Sequence, residues 1–385
     1  MPRQAHTVPI VPEVLEWARV TAGLTPARAA QALKVSVETV QAWESGESGF
    51  GITQLRRIAA AYKRPVAALL QPSAPELPAL PDDFRTIGGD QPAFSTETLV
   101  AIRDAQRIQE IATELMEDEP DSFPEADLPL YRTDEHNPYA VGARERRAFD
   151  VDVREQFSWP SVNYAYNFWR ARLQAAGIIV LAKQMPRDDC RGFSLSSVPV
   201  IVVSSREADQ AKTFTLFHEY AHLTLRHGGV CLERDQIGIE QWCNRFAASF
   251  LVPAEALQEQ IERDTPLINQ VQRIAQRFKA SRHVIALRLV EMGIADSGLY
   301  DQIKAEDAEQ ADWFKQVSDE EEFGGRPQDA IRLSEVGIGF AGIIFAALRS
   351  GRITPADASD MLDVRLEKLD PLSQRVEAAR GRYRR

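Results

Sequence analysis

The pentapeptide HEYAH, which runs from His218 to His222, restricts the fold of this chain more than any other segment. On an α-helix four residues turn through about 400°, so the two histidines project from one face and can hold a single ion. Glu219 then lies beside them at the open side. The preceding residues 198–205, VPVIVVSS, have the pattern of a buried strand, and residues 208–225 have the pattern of the helix that carries the motif. The segment therefore predicts a metal site on a helix that follows a strand.

A catalytic zinc site needs a third protein ligand and an open position for water. His227 lies nine residues after His218, half a turn around the helix, and no glycine turns the chain back before it, so we interpret it as a surface residue. Glu240 is the better candidate because it opens the helical pattern of residues 239–253, after a stretch that can reverse the chain. The alternative is that Glu240 is a solvated acid stabilised by the helix dipole. Asn244 lies one turn later on the same face, where it can hydrogen-bond a ligating histidine.

Two histidines and a glutamate are a zinc-binding set suited to peptide hydrolysis. Zinc lowers the pKa of its water, and Glu219 would then act as the catalytic base, taking a proton and returning one to the leaving amine. The developing oxyanion needs a further hydrogen-bond donor. The sequence does not choose among four candidates for it, which are Tyr220, Tyr164, Tyr166 and His283.

The N-terminal part of the chain has apolar residues at helical spacing in five short segments, 14–20, 27–33, 37–43, 55–62 and 66–70. Only a tight turn fits between the second and third segments, and Ser36 is a good N-cap for the third. A helix, a turn and a helix of this size allow the second helix to enter a major groove. The proline-rich QPSAPELPALPDD that follows favours an extended connector.

The third segment predicts a DNA-reading helix in which Val40 and Trp43 share the core face. The distribution of charge permits DNA contact through this head. Residues 1–72 hold eight Lys and Arg against five Asp and Glu, a net charge of about +3. Because the whole chain has a net charge of −11, the remaining residues carry about −14. The alternative is that the five amphipathic helices form a protein-interaction module. The positions expected to face DNA are Ser36, Val37, Glu38, Thr39, Gln41 and Ala42, with Arg28 and Lys34 able to reach phosphates.

Two segments of the sequence resemble known families. LTPARAAQALKVSVETVQAWESGE resembles the Xre helix-turn-helix down to its closing Trp-Glu-Ser-Gly, although Val37, Glu38 and Ala42 stand where such repressors often carry Gln or Arg. HEYAH followed by EQWCNRFAASFLVP resembles the ImmA/IrrE metallopeptidases, whose pattern is HExxH and then Glu-x-x-Ala-Asn-x-Phe-Ala. This second resemblance implies that His218, His222 and Glu240 are metal ligands and that Glu219 is the catalytic base. It departs at Cys243, where alanine is usual.

The resemblance to a fused Xre–ImmA/IrrE architecture covers most of residues 8–293 and implies a function. Members of this group cut a partner transcriptional repressor or act as the antitoxin of a toxin pair. We therefore expect a DNA-binding zinc endopeptidase whose partners are operator DNA and a repressor or toxin as protein substrate. The alternative is a non-proteolytic regulator or antitoxin that uses a peptidase-like domain for binding or sensing. Xre-like heads usually act as dimers on paired half-sites, so a homodimer is implied as well.

The fold class expected for the whole chain is α+β and mostly helical. The longest apolar run, residues 338–348, is too short to cross a membrane and the N-terminus resembles no secretion signal, so we expect a cytoplasmic protein. Three cysteines without a CxxC pair support neither a disulfide framework nor a cysteine zinc site. The expected parts are a five-helix helix-turn-helix head at 8–72, a linker and connecting helix at 73–135, a zincin-like metallopeptidase domain with a small sheet at 136–317 and a C-terminal helical segment at 329–385.

Overall fold

A computed structural model describes residues 7–75, 94–118, 124–186, 189–225, 236–317 and 328–382. The chain divides into two compact units, one from residues 1–106 and 184–190 and one from residues 107–183 and 191–385. Across the described ranges the fold is mostly helical with one three-stranded sheet, which confirms the expected fold class. None of the helices in these ranges is both long and apolar enough to cross a membrane. His227, together with much of the proline-rich connector, lies outside the described residues.

Five short helices form the head, as the sequence predicts. Thr25 and Ser36 cap the second and third helices, because their hydroxyls accept hydrogen bonds from the backbone N–H groups of Arg28 and Thr39. Between these two helices Lys34 adopts a left-handed conformation, with φ of 55°, and ends the second helix. The helices are α1 (Pro12–Val20), α2 (Pro26–Leu33), α3 (Val37–Glu44), α4 (Ile52–Ala61) and α5 (Val66–Leu69).

A buried ion pair joins α1 to α3 inside the head. Arg19 Nε and Nη2 donate to the two carboxylate oxygens of Glu44 at 2.7 and 3.0 Å, and Arg19 Nη1 donates to the Leu24 carbonyl at 2.8 Å. Both side chains are about nine-tenths buried beside an apolar core that includes Val40 and Trp43, the two residues predicted to be core. Because the pairing is bidentate, it fixes the orientation of α3 as well as its position.

The sheet lies in the second unit and contains β1 (Ile179–Lys183), β2 (Gly192–Leu195) and β3 (Val200–Ser204) in the order β1-β3-β2. β1 runs parallel to β3 and β2 runs antiparallel to it, which places Phe193 opposite Val202. Every residue of β1 and β3 is buried, and the first four residues of each strand are apolar, as is typical of strands covered on both faces. β3 was predicted from the sequence, whereas β1 and β2 were not.

Helices surround this sheet, and two of them pack face to face. The motif lies on α10, and the helix predicted from residues 239–253 is α11, which begins earlier, at Gln236. Phe217 of α10 stacks on Phe250 of α11 with ring centroids 3.8 Å apart, and both are fully buried. The helices up to this point are α6 (Thr96–Asp118), α7 (Pro138–Ala148), α8 (Val153–Ser158), α9 (Val162–Ala175), α10 (Asp209–Leu225) and α11 (Gln236–Leu251).

The C-terminal helices complete the core of the second unit. Gln174 Oε1 accepts a hydrogen bond from the backbone N–H of Gly339 at 2.7 Å, and Arg170 Nη2 donates to the carbonyls of Val180 and Ser334 at 2.9 and 2.7 Å. Gly337 has a φ of 79°, and a Cβ there would lie 2.4 Å from the Val180 carbonyl oxygen. The remaining helices are α12 (Ala254–Gln258), α13 (Leu267–Phe278), α14 (Arg282–Glu291), α15 (Ser297–Val317), α16 (Gln328–Val336), α17 (Ile338–Arg349), α18 (Pro355–Leu362) and α19 (Leu369–Arg382).

Arg19→Met tests the ion pair of the head. It leaves the Glu44 carboxylate buried without its partner, so we expect the free energy of unfolding of the head to fall by about 3 kcal/mol. Hydrogen exchange of α1 and α3 in the full chain measures the loss. The double variant Arg19→Met/Glu44→Leu should lose less than the single one, because no charge is then left buried. Equal losses in the two variants would contradict this account.

Candidate metal centre

His218 and His222 present their Nε2 atoms to the same point. These atoms lie 3.1 Å apart, and both residues come from the same face of α10, one turn from each other. The side chains are 15% and 8% exposed, so both imidazoles are largely buried. The spacing of the motif predicts that the two histidines share one face of a helix, and the observed geometry agrees with this.

Glu240 approaches the histidine pair from α11. Its Oε2 lies 3.2 Å from His218 Nε2, and its Oε1 lies 3.4 Å from His222 Nε2. One ligand atom from each of these three residues lies within 4.8 Å of the other two, and among the described residues this is the one such group of three. The Glu240 side chain is 56% exposed, so the cluster faces solvent on the α11 side.

The three side chains fit a zinc ion. Ligands at about 2.05 Å in a tetrahedral arrangement are separated from each other by about 3.3 Å. Here the two histidine nitrogens lie 3.1 Å apart, and each of them has one oxygen of the Glu240 carboxylate at 3.2 or 3.4 Å, Oε2 for His218 and Oε1 for His222. Two imidazole nitrogens and one carboxylate also match a catalytic set of three protein ligands, which leaves the fourth position to water or substrate.

Asn244 orients one of the histidines. Its Oδ1 lies 3.0 Å from His218 Nδ1, and a carbonyl oxygen can only accept a hydrogen bond. His218 therefore carries its proton on Nδ1 and keeps the lone pair of Nε2 for a metal. His222 has a different neighbour, the buried free thiol of Cys243.

Glu219 is buried beside the cluster and has a partner that the sequence analysis missed. Ser194 of β2 donates its hydroxyl to Glu219 Oε2 at 3.1 Å, and the Glu219 residue is only 5% exposed. Gly192 allows β2 to come this close to α10, because a Cβ there would lie 2.4 Å from Thr215 Cγ2. The segment RGFSL precedes the predicted strand, but local periodicity does not reveal that it pairs with β3.

Without a metal, the charges within the cluster favour an ionised Glu240 carboxylate next to a protonated His222 imidazole. Burial raises the pKa of Glu240, but hydrogen bonds from His218 and His222 outweigh it and hold this pKa well below its usual range. Burial lowers the pKa of His222, but the Cys243 thiol and the carboxylates of Glu240 and Glu219 outweigh it and raise this pKa. A metal ion must therefore displace a proton, so its affinity should fall as the pH decreases.

The four candidate oxyanion donors lie in different environments. Tyr220 donates its hydroxyl to buried Glu145 of α7 at 2.8 Å, and Tyr131 donates to the same carboxylate. Tyr220 thus ties the motif helix to α7. Tyr166 is buried with no hydrogen bond to its hydroxyl among the described residues, and Tyr164 is partly exposed. On α14, His283 Nδ1 lies 3.3 Å from Asp307 Oδ2.

The residues expected to read DNA occupy mixed positions on the head. Glu38 and Gln41 are exposed, Ala42 is half-buried, and the exposed side chains of Arg28 and Lys34 extend from the neighbouring helix and turn. Ser36 and Thr39 share a hydrogen bond between their hydroxyls, 3.1 Å long. Val37 is half-buried because it packs against the core of the head, so less of it faces outward than the sequence suggests.

Comparison with known families gives two matches in this chain. Residues 15–69 match the helix-turn-helix family, and residues 173–290 match the IrrE N-terminal-like domain. Both matches fall where the sequence resemblances were found and in the same order along the chain, which confirms those resemblances. No curated protein matches the chain.

Zinc binding tests the proposed ligand roles. We expect the purified protein to hold one zinc ion and His218→Ala to lose it, because two ligands no longer enclose the ion. Asn244→Ala should weaken the affinity by about 10–100-fold through loss of histidine orientation. Metal analysis and competition with a chelator measure both effects.

His283→Ala is the matched control, since this histidine pairs with Asp307 on a different helix. It should bind zinc like the unchanged protein. Full zinc content in His218→Ala would rule out this ligand set.

Proposed function

We propose that this chain, which joins a helix-turn-helix match to an IrrE N-terminal-like match, is a DNA-binding regulatory zinc endopeptidase. One observation carries the proposal. His218, His222 and Glu240 converge from two helices at zinc-like separations, with the buried carboxylate of Glu219 next to them. A histidine pair, a third ligand and a neighbouring base are the parts that hydrolysis of a peptide bond requires.

Each residue of the site has a distinct task in this proposal. A bound zinc ion supplies Lewis acidity toward water and the peptide carbonyl. Glu219 accepts the proton of the attacking water and delivers a proton to the leaving amine nitrogen. The hydrogen bond from Ser194 holds the Glu219 carboxylate in one orientation and keeps it from turning away. Asn244 keeps His218 in the tautomer that leaves Nε2 available.

The proposed substrate is a regulatory protein such as a repressor or a toxin. Two features support a polypeptide substrate. Glu240 is more than half exposed, so the cluster is accessible from outside, and the helix-turn-helix region supports action at DNA, where such regulators bind. The proposal therefore couples recognition of DNA by the head with cleavage of a protein by the second unit.

Glu219→Gln separates an enzyme from a binding protein. The amide cannot accept a proton, so we expect cleavage of a regulator encoded beside this gene to fall by about 10³-fold or more. The zinc content and the thermal unfolding midpoint should stay unchanged, because the substitution preserves size. Electrophoresis and mass spectrometry of the partner measure cleavage.

Glu259→Gln, an exposed position after α12, is the control and should cleave normally. If Glu219→Gln carries out the biological task as well as the unchanged protein, the chain is a non-proteolytic regulator or antitoxin instead.

The double variant Arg28→Gln/Lys34→Gln tests DNA binding by the head. Removing two cations that reach phosphates should weaken binding to any duplex and reduce the slope of log affinity against log salt by about 2. Gln41→Ala should instead reduce discrimination between operator sequences, because Gln41 is expected to contact a base edge. Fluorescence anisotropy over a range of salt concentrations measures both. Arg147→Gln, exposed on α7, should change neither, and an unchanged slope in the double variant would contradict the assigned phosphate contacts.

A further inference from the structure

A buried carboxylate on α7 accepts hydrogen bonds from two tyrosines that belong to different segments. Tyr220 of α10 donates its hydroxyl to Glu145 Oε2 at 2.8 Å, and Tyr131, which precedes α7, donates its hydroxyl to Oε1 of the same side chain. Glu145 is 5% exposed, and both tyrosines are buried as well. Burying a carboxylate is costly unless hydrogen bonds satisfy it, and here each oxygen has a donor. The two hydroxyls therefore keep the Glu145 carboxylate in one position.

The two tyrosines attach α7 and the segment before it to α10, the helix of the histidine pair. Tyr220 is two residues after His218, so its side chain leaves the helix about 200° from that of the histidine. The hydrogen bond to Glu145 thus holds α10 from the side opposite the metal ligands. Tyr131 adds a second attachment, because its backbone N–H donates to the carbonyl of Thr224 at 2.9 Å, in the last turn of α10.

The same helix, α7, is also attached to α11, which carries the third ligand. Arg146, next to Glu145, is 4% exposed, and its Nη1 donates to the carbonyl of Phe250 at 3.2 Å. Ser249 donates its hydroxyl to the carbonyl of Tyr139 at 2.9 Å. These two hydrogen bonds join the last and the first turn of α7 to α11. Glu145 therefore lies on a helix that contacts both of the helices that supply metal ligands.

We propose that Glu145 is a positioning residue of the metal centre, which sets the separation of α10 and α11 and thereby the distance from the histidine pair to Glu240. It acts through Tyr220. This inference rests on the proposed function, because it takes the three side chains to be zinc ligands. Ligands on different helices must stay within about 0.5 Å of the productive geometry, and the contacts that support them decide whether they do. A carboxylate suits this task, since it accepts from both tyrosines, whereas an amide accepts through one oxygen only.

Cobalt(II) binding to the full chain tests the proposal without a substrate, because the visible absorption of this ion depends on the arrangement of its ligands. The unchanged protein should bind one cobalt ion. Glu145→Gln should change the absorption spectrum and raise the cobalt Kd by about tenfold, because the ligands are no longer held at the same separation. Tyr220→Phe removes the same hydrogen bond but keeps the ring and its packing, so it guards against misfolding of the glutamine variant. It should change the spectrum and the Kd in the same direction.

Gln174→Leu is the matched control, because it removes a buried hydrogen bond between α9 and α17, the one from the backbone N–H of Gly339. It should lower the thermal unfolding midpoint and leave the cobalt spectrum and Kd unchanged. The proposal fails if Tyr220→Phe and any folded Glu145→Gln protein bind cobalt as the unchanged protein does. It also fails if Gln174→Leu alters the spectrum equally, because the effect is then general destabilisation. An unchanged protein that binds neither cobalt nor zinc would overturn the proposed function together with this inference, a result distinct from both failures.

Discussion

The packing of α10 against α11 is the constraint on which the rest of the second unit depends. Neither helix alone offers more than part of a metal site, since the two imidazoles are on one and the carboxylate on the other. The stacked rings of Phe217 and Phe250 bring the helices together, and Gly142 of α7 packs so closely on α11 that a Cβ would meet the Phe246 carbonyl oxygen at 2.7 Å. Burial of apolar surface thus provides the free energy that holds two largely buried imidazoles and a carboxylate together.

The sequence predicts those features that a single helix or turn determines. The spacing of HEYAH places His218 and His222 on the same face of a helix. The four-residue step from Glu240 to Asn244 likewise places these two residues on the same face of the next helix. Ser36 caps α3 as its local pattern suggests, and Thr354 caps α18 in the same way. The helix caps and the five helices of the head follow from rules that act over a few residues.

The features that the sequence does not predict depend on contacts between distant segments. β1 and β2 were not recognised because pairing with β3, not periodicity, makes them strands. Ser194 and Glu219 are 25 residues apart, and Tyr220 and Glu145 are 75 apart, so no local signal connects them. The same holds for the ion pair of the first unit. Arg19 and Glu44 are also 25 residues apart, and only the folded chain reveals that they pair.

The C-terminal helices have a consequence for the modularity of this protein. β1 is at one end of the strand order, and the Val180 carbonyl on it is covered by Arg170 and by the close approach of Gly337. An exposed strand edge with apolar faces is a template for aggregation, which natural proteins prevent by covering it. Truncation before α16 would uncover this edge together with the buried surface of α17. The last helices are therefore not a detachable appendage, and genetic shortening or proteolytic loss of this segment would produce a chain prone to self-association.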